Sequence, residues 1–136
     1  MSRIVGLDPG SVRIGVAVSD PLHLTAQPHG TLDAADPDLD RRLRALAVEV
    51  EAERFVVGLP VSLDGSEGPA AGAARARAAR VAEATGLPVD LHDERFSTVT
   101  AERVLVASGM RRDRRRSTRD RVAAAVFLQS YLDGRR

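Results

Sequence analysis

Among the 19 Asp and Glu residues of this 136-residue chain, a few stand apart by position. Asp8 lies at the exit of the apolar run IVGL, Asp93-Glu94 follow the run Pro88–His92, and Asp120 opens the amphipathic stretch that ends the chain. Carboxylates brought to about 4 Å from one another repel by about 4 kcal/mol per pair at an effective dielectric near 20. Either their pKa values rise or a positive group sits among them. No Lys, Cys or sequence-adjacent His is available at Asp8. Hard divalent cations with oxygen ligands, Mg²⁺ or Mn²⁺, are the natural answer. Two such ions about 3.5–4 Å apart would activate a water and stabilise the leaving oxygen in phosphodiester hydrolysis.

Taken singly, each acid has a plainer reading. Asp8 could hydrogen-bond the backbone of the turn Pro9-Gly10-Ser11. Asp93-Glu94 could be a solvated strand end, and Ser117 with Asp120 could form a capping-box-like pair at a helix start. Asp93 and Glu94 point to opposite faces if their strand persists, so at most one reaches a shared site, and periodicity leaves open which. The metal reading therefore requires a fold that converges these positions.

The elements do allow it. Arg3 to Asp20 reads as a β-hairpin, with apolar runs on both sides of a Pro-Gly turn. A loop over Pro21–Pro28 precedes a short third strand at His29–Leu32. Asp36-Pro37 looks like a helix cap with proline at the first helical position, and Leu39, Leu43, Leu46, Ala47 and Val50 form one helical stripe after it. Arg54–Leu59 reads as a strand covered on both faces, Pro60–Pro69 as a loop, and Ala70–Thr85 as an Ala-rich helix closed by Gly86. Pro88–His92 is expected to be a further buried strand, and Thr98–Ser108 a helix stopped by Gly109. A flexible basic connector at about 110–118 leads to a last helix, Arg119–Leu132. On that helix Asp120 shares a stripe with Ala124, Phe127, Leu128 and Tyr131, which must face the sheet. The order predicts an α/β domain spanning 1–136: a mixed five-stranded sheet, three antiparallel strands first and then parallel, with helices on both faces. The carboxyl ends of its parallel strands gather at one edge, where Asp8 and one of Asp93 or Glu94 can meet.

Composition narrows the classes. Cys is absent, which excludes disulfides and thiolate metal sites. No apolar run approaches a membrane span, and the first strand begins at once, so the expected location is cytoplasmic and no membrane partner is expected. Formal charge is only +1, but every one of the 20 Lys and Arg residues is Arg, and they crowd the end of the chain. With aromatics at 3%, a platform for stacking single-stranded bases is not expected.

Four segments in order, GLDPGSVRIGVAVSD (6–20), VVGLPVSLDGSEGP (56–69), HDERFSTVTAERVL (92–105) and DRVAAAVFLQSYL (120–132), resemble the YqgF/RuvX family of ribonuclease H-like nucleases over nearly the whole chain. The resemblance implies a ribonuclease H-like fold and a Mg²⁺ or Mn²⁺ carboxylate site formed by Asp8, Glu94 and Asp120, selecting Glu94 over Asp93. It implies a nuclease that processes the 5′ end of precursor 16S ribosomal RNA, or alternatively a Holliday junction resolvase acting on four-way DNA. Partners would be pre-rRNA or branched DNA and ribosomal precursor particles, and the protein a monomer or homodimer. The basic stretch MRRDRRRSTR departs from the family's usual mixture with Lys, though Arg binds phosphate well.

Arg13, Arg95, Arg112, Arg114, Arg115, Arg116 and Arg119 are candidate phosphate contacts near the acids. The Leu59–Pro69 loop lacks the Lys and Ser/Thr of a P-loop, and Ser97 and Thr98 read as helix caps. His92 reads as a packed strand residue or as an aid to proton transfer. Two rival classes are a nucleic-acid-binding module without catalysis and an actin-like nucleotide-binding domain; the latter needs a second domain that 136 residues cannot supply.

Overall fold

The computed structural model describes residues 2–9, 12–60, 68–93 and 112–135, the last segment by backbone alone up to residue 120. Strands β1 (Arg3–Pro9), β2 (Arg13–Ser19) and β3 (Ala26–Asp33) are followed by helix α1 (Leu39–Glu49), β4 (Ala52–Leu59), α2 (Pro69–Thr85), β5 (Val89–Asp93) and α3 (Arg112–Gly134). They form one five-stranded sheet in the order β3-β2-β1-β4-β5. The pairs β1–β2 and β2–β3 are antiparallel, and β1–β4 and β4–β5 are parallel. This is the mixed sheet expected from the sequence.

Helices cover both faces. On one, Leu39, Leu43 and Leu46 of α1 and Ala78 and Val81 of α2 pack on Val5, Leu7, Phe55 and Val57. On the other, Ala124, Phe127, Leu128 and Leu132 of α3 pack on Ile4, Ala17 and Val56. Alternation along β1 and β4 divides the residues between these layers. Gly6 shows how closely α3 is seated: a Cβ at that position would lie 2.9 Å from the Cβ of Leu128. Only a residue without a side chain fits under this helix.

Several boundaries differ from those read in the sequence. β3 begins at Ala26, because Pro28 is tolerated on an edge strand and a register shift between Val16 and Ala17 absorbs one residue near His29. Helix α1 starts at Leu39 with Asp38 at its cap position. Asp36 does not cap it: its carboxylate accepts the Asp38 N–H at 2.8 Å and pairs with Arg42, a turn ahead of the helix. The helix closed by Gly86 is as expected, with that glycine at φ 71° and its N–H on the Ala82 carbonyl at 2.8 Å. β5 is half-buried along its whole length, where a buried strand was expected, because it is an edge with β4 as its single strand neighbour. The largest change is at α3, which begins at Arg112, so residues 112–118 are helical where a flexible connector was expected. Arg is a good helix former, and the segment contains neither Gly nor Pro before Gly134. The expected Thr98–Ser108 helix lies outside the described residues.

The loop from Asp20 to Thr25 is held by one carboxylate. Asp20 accepts the N–H groups of Leu22, Leu24 and Thr25 at 3.1, 2.7 and 2.8 Å. The bond from Thr25 is the main cause that holds the Asp20 carboxyl below its ordinary pKa, and those from Leu24 and Leu22 add to it. A carboxyl depressed in the folded state stabilises fully above its unfolded pKa, and the contribution is lost as pH falls through the folded value. Asp20→Ala is therefore expected to lower the unfolding midpoint at pH 7, with the difference from wild type shrinking below about pH 4; a gap constant from pH 7 to pH 2 contradicts this. Gly6→Ala is expected to cost about 1–3 kcal/mol in urea unfolding, since α3 must shift off β1. An unchanged midpoint and slope would contradict the seating described.

Candidate active site

Asp8 is the described member of the predicted acid set. It is half-buried near the carboxyl end of β1, opposite Gly15 of β2. Two-residue alternation gives Ile4, Gly6 and Asp8 a common face, the one α3 covers. The parallel register then connects Asp8 to β5. Leu7 pairs with Val57 and Val57 with Leu91, so these three form one row across the sheet, and Asp8 and His92 each stand one residue beyond it on their strands.

The same alternation sorts the residues of β5. Val89 and Leu91 pack against the α1/α2 layer, whereas Asp90 and His92 meet α3. Asp93 has the parity of Val89 and Leu91 and so lies on the opposite face from Asp8. Glu94 and Arg95 lie outside the described residues.

Helix α3 brings residue 120 toward the Asp8 edge. Gln129 accepts the Ala26 N–H at 2.9 Å and donates to the Leu24 carbonyl at 3.0 Å. Ala26 pairs with Ser19, whose Oγ accepts the Ile4 N–H at 2.8 Å. Gln129 is thus level with the start of β1, and Leu128 lies over Gly6. The helix therefore runs against β1, and its earlier turns lead toward Asp8. Residue 120 is eight positions before Leu128, about 12 Å along the axis. Of the Asp120 stripe, Ala124, Phe127, Leu128 and Tyr131 are buried as expected. The side chains of Asp120, Arg112, Arg114, Arg115, Arg116 and Arg119 are outside the described set, although their backbone is helical. Arg13 opens β2, half-buried and opposite Asp33 of β3. Among the described residues no three His, Cys, Asp or Glu side chains form a metal-holding group; Glu94 and the Asp120 side chain are not in that set.

A polar cluster beside this row was not singled out by the sequence. Asp90 accepts from Arg54 Nη1 at 3.0 Å and from the Tyr131 hydroxyl, which in turn accepts from Arg135 Nη1 at 2.7 Å. Burial, with the bond to Asp90 adding to it, raises the Tyr131 pKa. The His92 ring sits 5.5 Å from those of Phe127 and Tyr131, and its Nε2 is 3.1 Å from Ser130 Oγ. Burial lowers the His92 pKa, partly offset by the charge of Asp93. The available signal was parity: Asp90 and His92 alternate with Val89 and Leu91, so one polar pair had to face a helix.

A family model described as Holliday junction resolvase, RuvX, matches residues 2–134. The chain belongs to the RuvX family. A relative from Geobacillus kaustophilus named "Putative pre-16S rRNA nuclease" is 47% identical, with 98% of this chain and 99% of that protein covered. One of the same name from Myxococcus xanthus is also 47% identical, covering 98% and 89% of the two chains. Among solved structures, Thermus thermophilus RuvC in complex with Holliday junction substrate superposes with TM-score 0.59 at 20% identity, over 99% of this chain and 96% of that one. A second Thermus thermophilus RuvC structure gives TM-score 0.57 at 18% identity. At these identities the likeness concerns the fold, and it makes the RuvX chain ribonuclease H-like.

Proposed function

We propose that this RuvX-family nuclease hydrolyses phosphodiester bonds with Mg²⁺ or Mn²⁺ and processes the 5′ end of precursor 16S ribosomal RNA. The observation that carries this reading is the row across the sheet: Asp8 at the carboxyl end of β1, level with the end of β5, on the face that α3 approaches with its N-terminal half. The names of relatives 47% identical over nearly the whole chain support the RNA substrate. The family description and the RuvC fold favour a second reading, resolution of four-way DNA junctions.

Asp8, Glu94 and Asp120 would hold the metal. Parity supports Glu94 over Asp93, because the position after Asp93 returns to the face of Asp8 if the alternation continues. The donors fit the ion: they are carboxylate oxygens, and a chain without Cys offers no soft ligand to draw zinc or copper. When bound, such ions lower the pKa of the attacking water and draw charge from the leaving oxygen. Asp8, fixed on a strand flanked on both sides, would be the rigid member of that set. Arg13, Arg95 and the arginines at 112, 114, 115, 116 and 119 would neutralise substrate phosphates. No helix among the described residues is long and apolar enough to cross a membrane; a cytoplasmic protein acting on ribosomal precursor particles, as monomer or homodimer, agrees with this reading.

The test incubates the protein and Mn²⁺ with precursor 16S RNA or a synthetic four-way junction, beside Asp8→Asn and Asp93→Asn. Asp8→Asn is expected to slow cleavage by roughly a hundredfold or more, and Asp93→Asn by no more than about threefold. Preferred cleavage of the junction would select the resolvase reading. Equal cleavage by wild type and Asp8→Asn would remove the proposed site.

A further inference from the structure

Strand β5 and helix α3 each lead to one of the acids proposed to flank Asp8, and a group of side chains joins them. β5 is a half-buried edge strand hydrogen-bonded to β4 alone. The apolar seat of α3 is on Ile4, Ala17 and Val56, which belong to β1, β2 and β4. Among the described residues, what links β5 to α3 is a side-chain group: His92 against Phe127 and Tyr131, His92 Nε2 on Ser130 Oγ, and the Tyr131 hydroxyl on Asp90.

We propose that His92 is a positioning residue: with Tyr131 and Asp90 it clasps β5 to α3 and sets the separation of the carboxylates that the two elements carry into the metal site. This rests on the metal-site reading above. The geometry favours positioning over proton transfer. The Nε2 atom of His92 is engaged at Ser130, ten residues and about 15 Å of helix beyond residue 120, so it is committed to the C-terminal half of α3. Two aromatic rings at 5.5 Å, one tilted by 50° and the other edge-on at 79°, restrict its rotation. Asp90 is itself oriented by Arg54 at 3.0 Å, and the Tyr131 hydroxyl by Arg135 at 2.7 Å, so both halves of the clasp are braced. His92 is two residues before Glu94, and Tyr131 is eleven after Asp120, on the same helical stripe. A small rotation of β5 about β4 would move the strand end relative to the helix, and the clasp opposes that rotation. Ligands carried on elements whose spacing is fixed by packing bind metal more tightly than ligands on loosely joined ones.

Calorimetric titration of Mn²⁺ into the full-length protein, beside unfolding and cleavage assays, tests the clasp. His92→Ala and Tyr131→Phe are each expected to raise the Mn²⁺ dissociation constant about tenfold. His92→Phe, which keeps the ring packing, should fall between them and wild type. Saturating Mn²⁺ should restore cleavage in each to within about threefold of wild type. The double variant should weaken Mn²⁺ binding by less than the product of the single effects, since both break one clasp. A lower unfolding midpoint with unchanged Mn²⁺ affinity would make the group merely structural and overturn the proposal. Cleavage lost at saturating Mn²⁺ with affinity unchanged would make His92 a proton-transfer group and overturn it equally. Should His92→Ala fail to fold, Tyr131→Phe and Ser130→Ala at the exposed hydroxyl carry the same expectation. If Asp8→Asn binds Mn²⁺ as wild type does, the metal-site reading falls and the clasp with it. If Asp8→Asn loses Mn²⁺ while the clasp variants bind normally, only the clasp falls.

Discussion

The contact of Leu128 with the backbone at Gly6 decides where everything else on that face can be. A Cβ at Gly6 would come to 2.9 Å from Leu128, so the helix rests on the strand with no layer of side chains between them at this point. Interiors packed at crystal-like density do not accommodate such an intrusion without displacement. The small residues Ala123 and Ala124, both buried, continue the close approach one turn earlier. The earlier turns of α3 are consequently kept near the plane of the sheet as they advance toward the Asp8 edge. A bulkier residue at 6 would lift the helix over the same strand that carries Asp8, two positions away.

The second constraint is strand direction. Because β1, β4 and β5 run parallel, their carboxyl ends open on a single edge, and the row Leu7–Val57–Leu91 fixes their stagger to the residue. An antiparallel β5 would put its exit at the other end of the sheet. The crossover through α2 enforces the parallel choice, since a strand that returns through a helix re-enters in the same direction. Position in the sheet then separates rigid from adjustable parts: β1 has partners on both sides, whereas β5 has one, and it is β5 that His92 and Asp90 tie to Ser130 and Tyr131 of α3.

Much of this was legible in the sequence because it follows from period and punctuation. The apolar runs flanking Pro9-Gly10, the stripe from Leu39 to Leu46 and Gly86 after the Ala-rich helix all act through local preferences that tertiary contacts reinforce. What sequence alone left open depends on neighbours. Placing Asp93 off the face of Asp8 required knowing that Val89 and Leu91 meet the α1/α2 layer, which strand parity cannot assign to a side unaided. Asp36 misled because an Asp-Pro-Asp sequence offers two cap positions, and the pairing of Asp36 with Arg42 favours the later helix start. Pro28 hid the first three residues of β3, since proline is penalised in a central strand and admitted on an edge. The polar cluster was hidden because its members are far apart in sequence: Arg54, Asp90 and Tyr131 meet only across the β4–β5–α3 packing.

The start of α3 bears on how substrate binding and the acid site are connected. As a connector, residues 112–118 could move independently of Asp120; as part of one helix from Arg112 to Gly134 they cannot. Arg112, Arg114, Arg115, Arg116 and Arg119 share this helix by their backbone, and the packing of Phe127, Leu128 and Leu132 seats its later turns on the sheet. Since Asp120 is in the same helix, one residue beyond Arg119, whatever orders those arginines also fixes the backbone from which this carboxylate extends. On the proposed reading, substrate contact and completion of the metal site are then two consequences of one helical segment, with Gly6 beneath it as the fixed point.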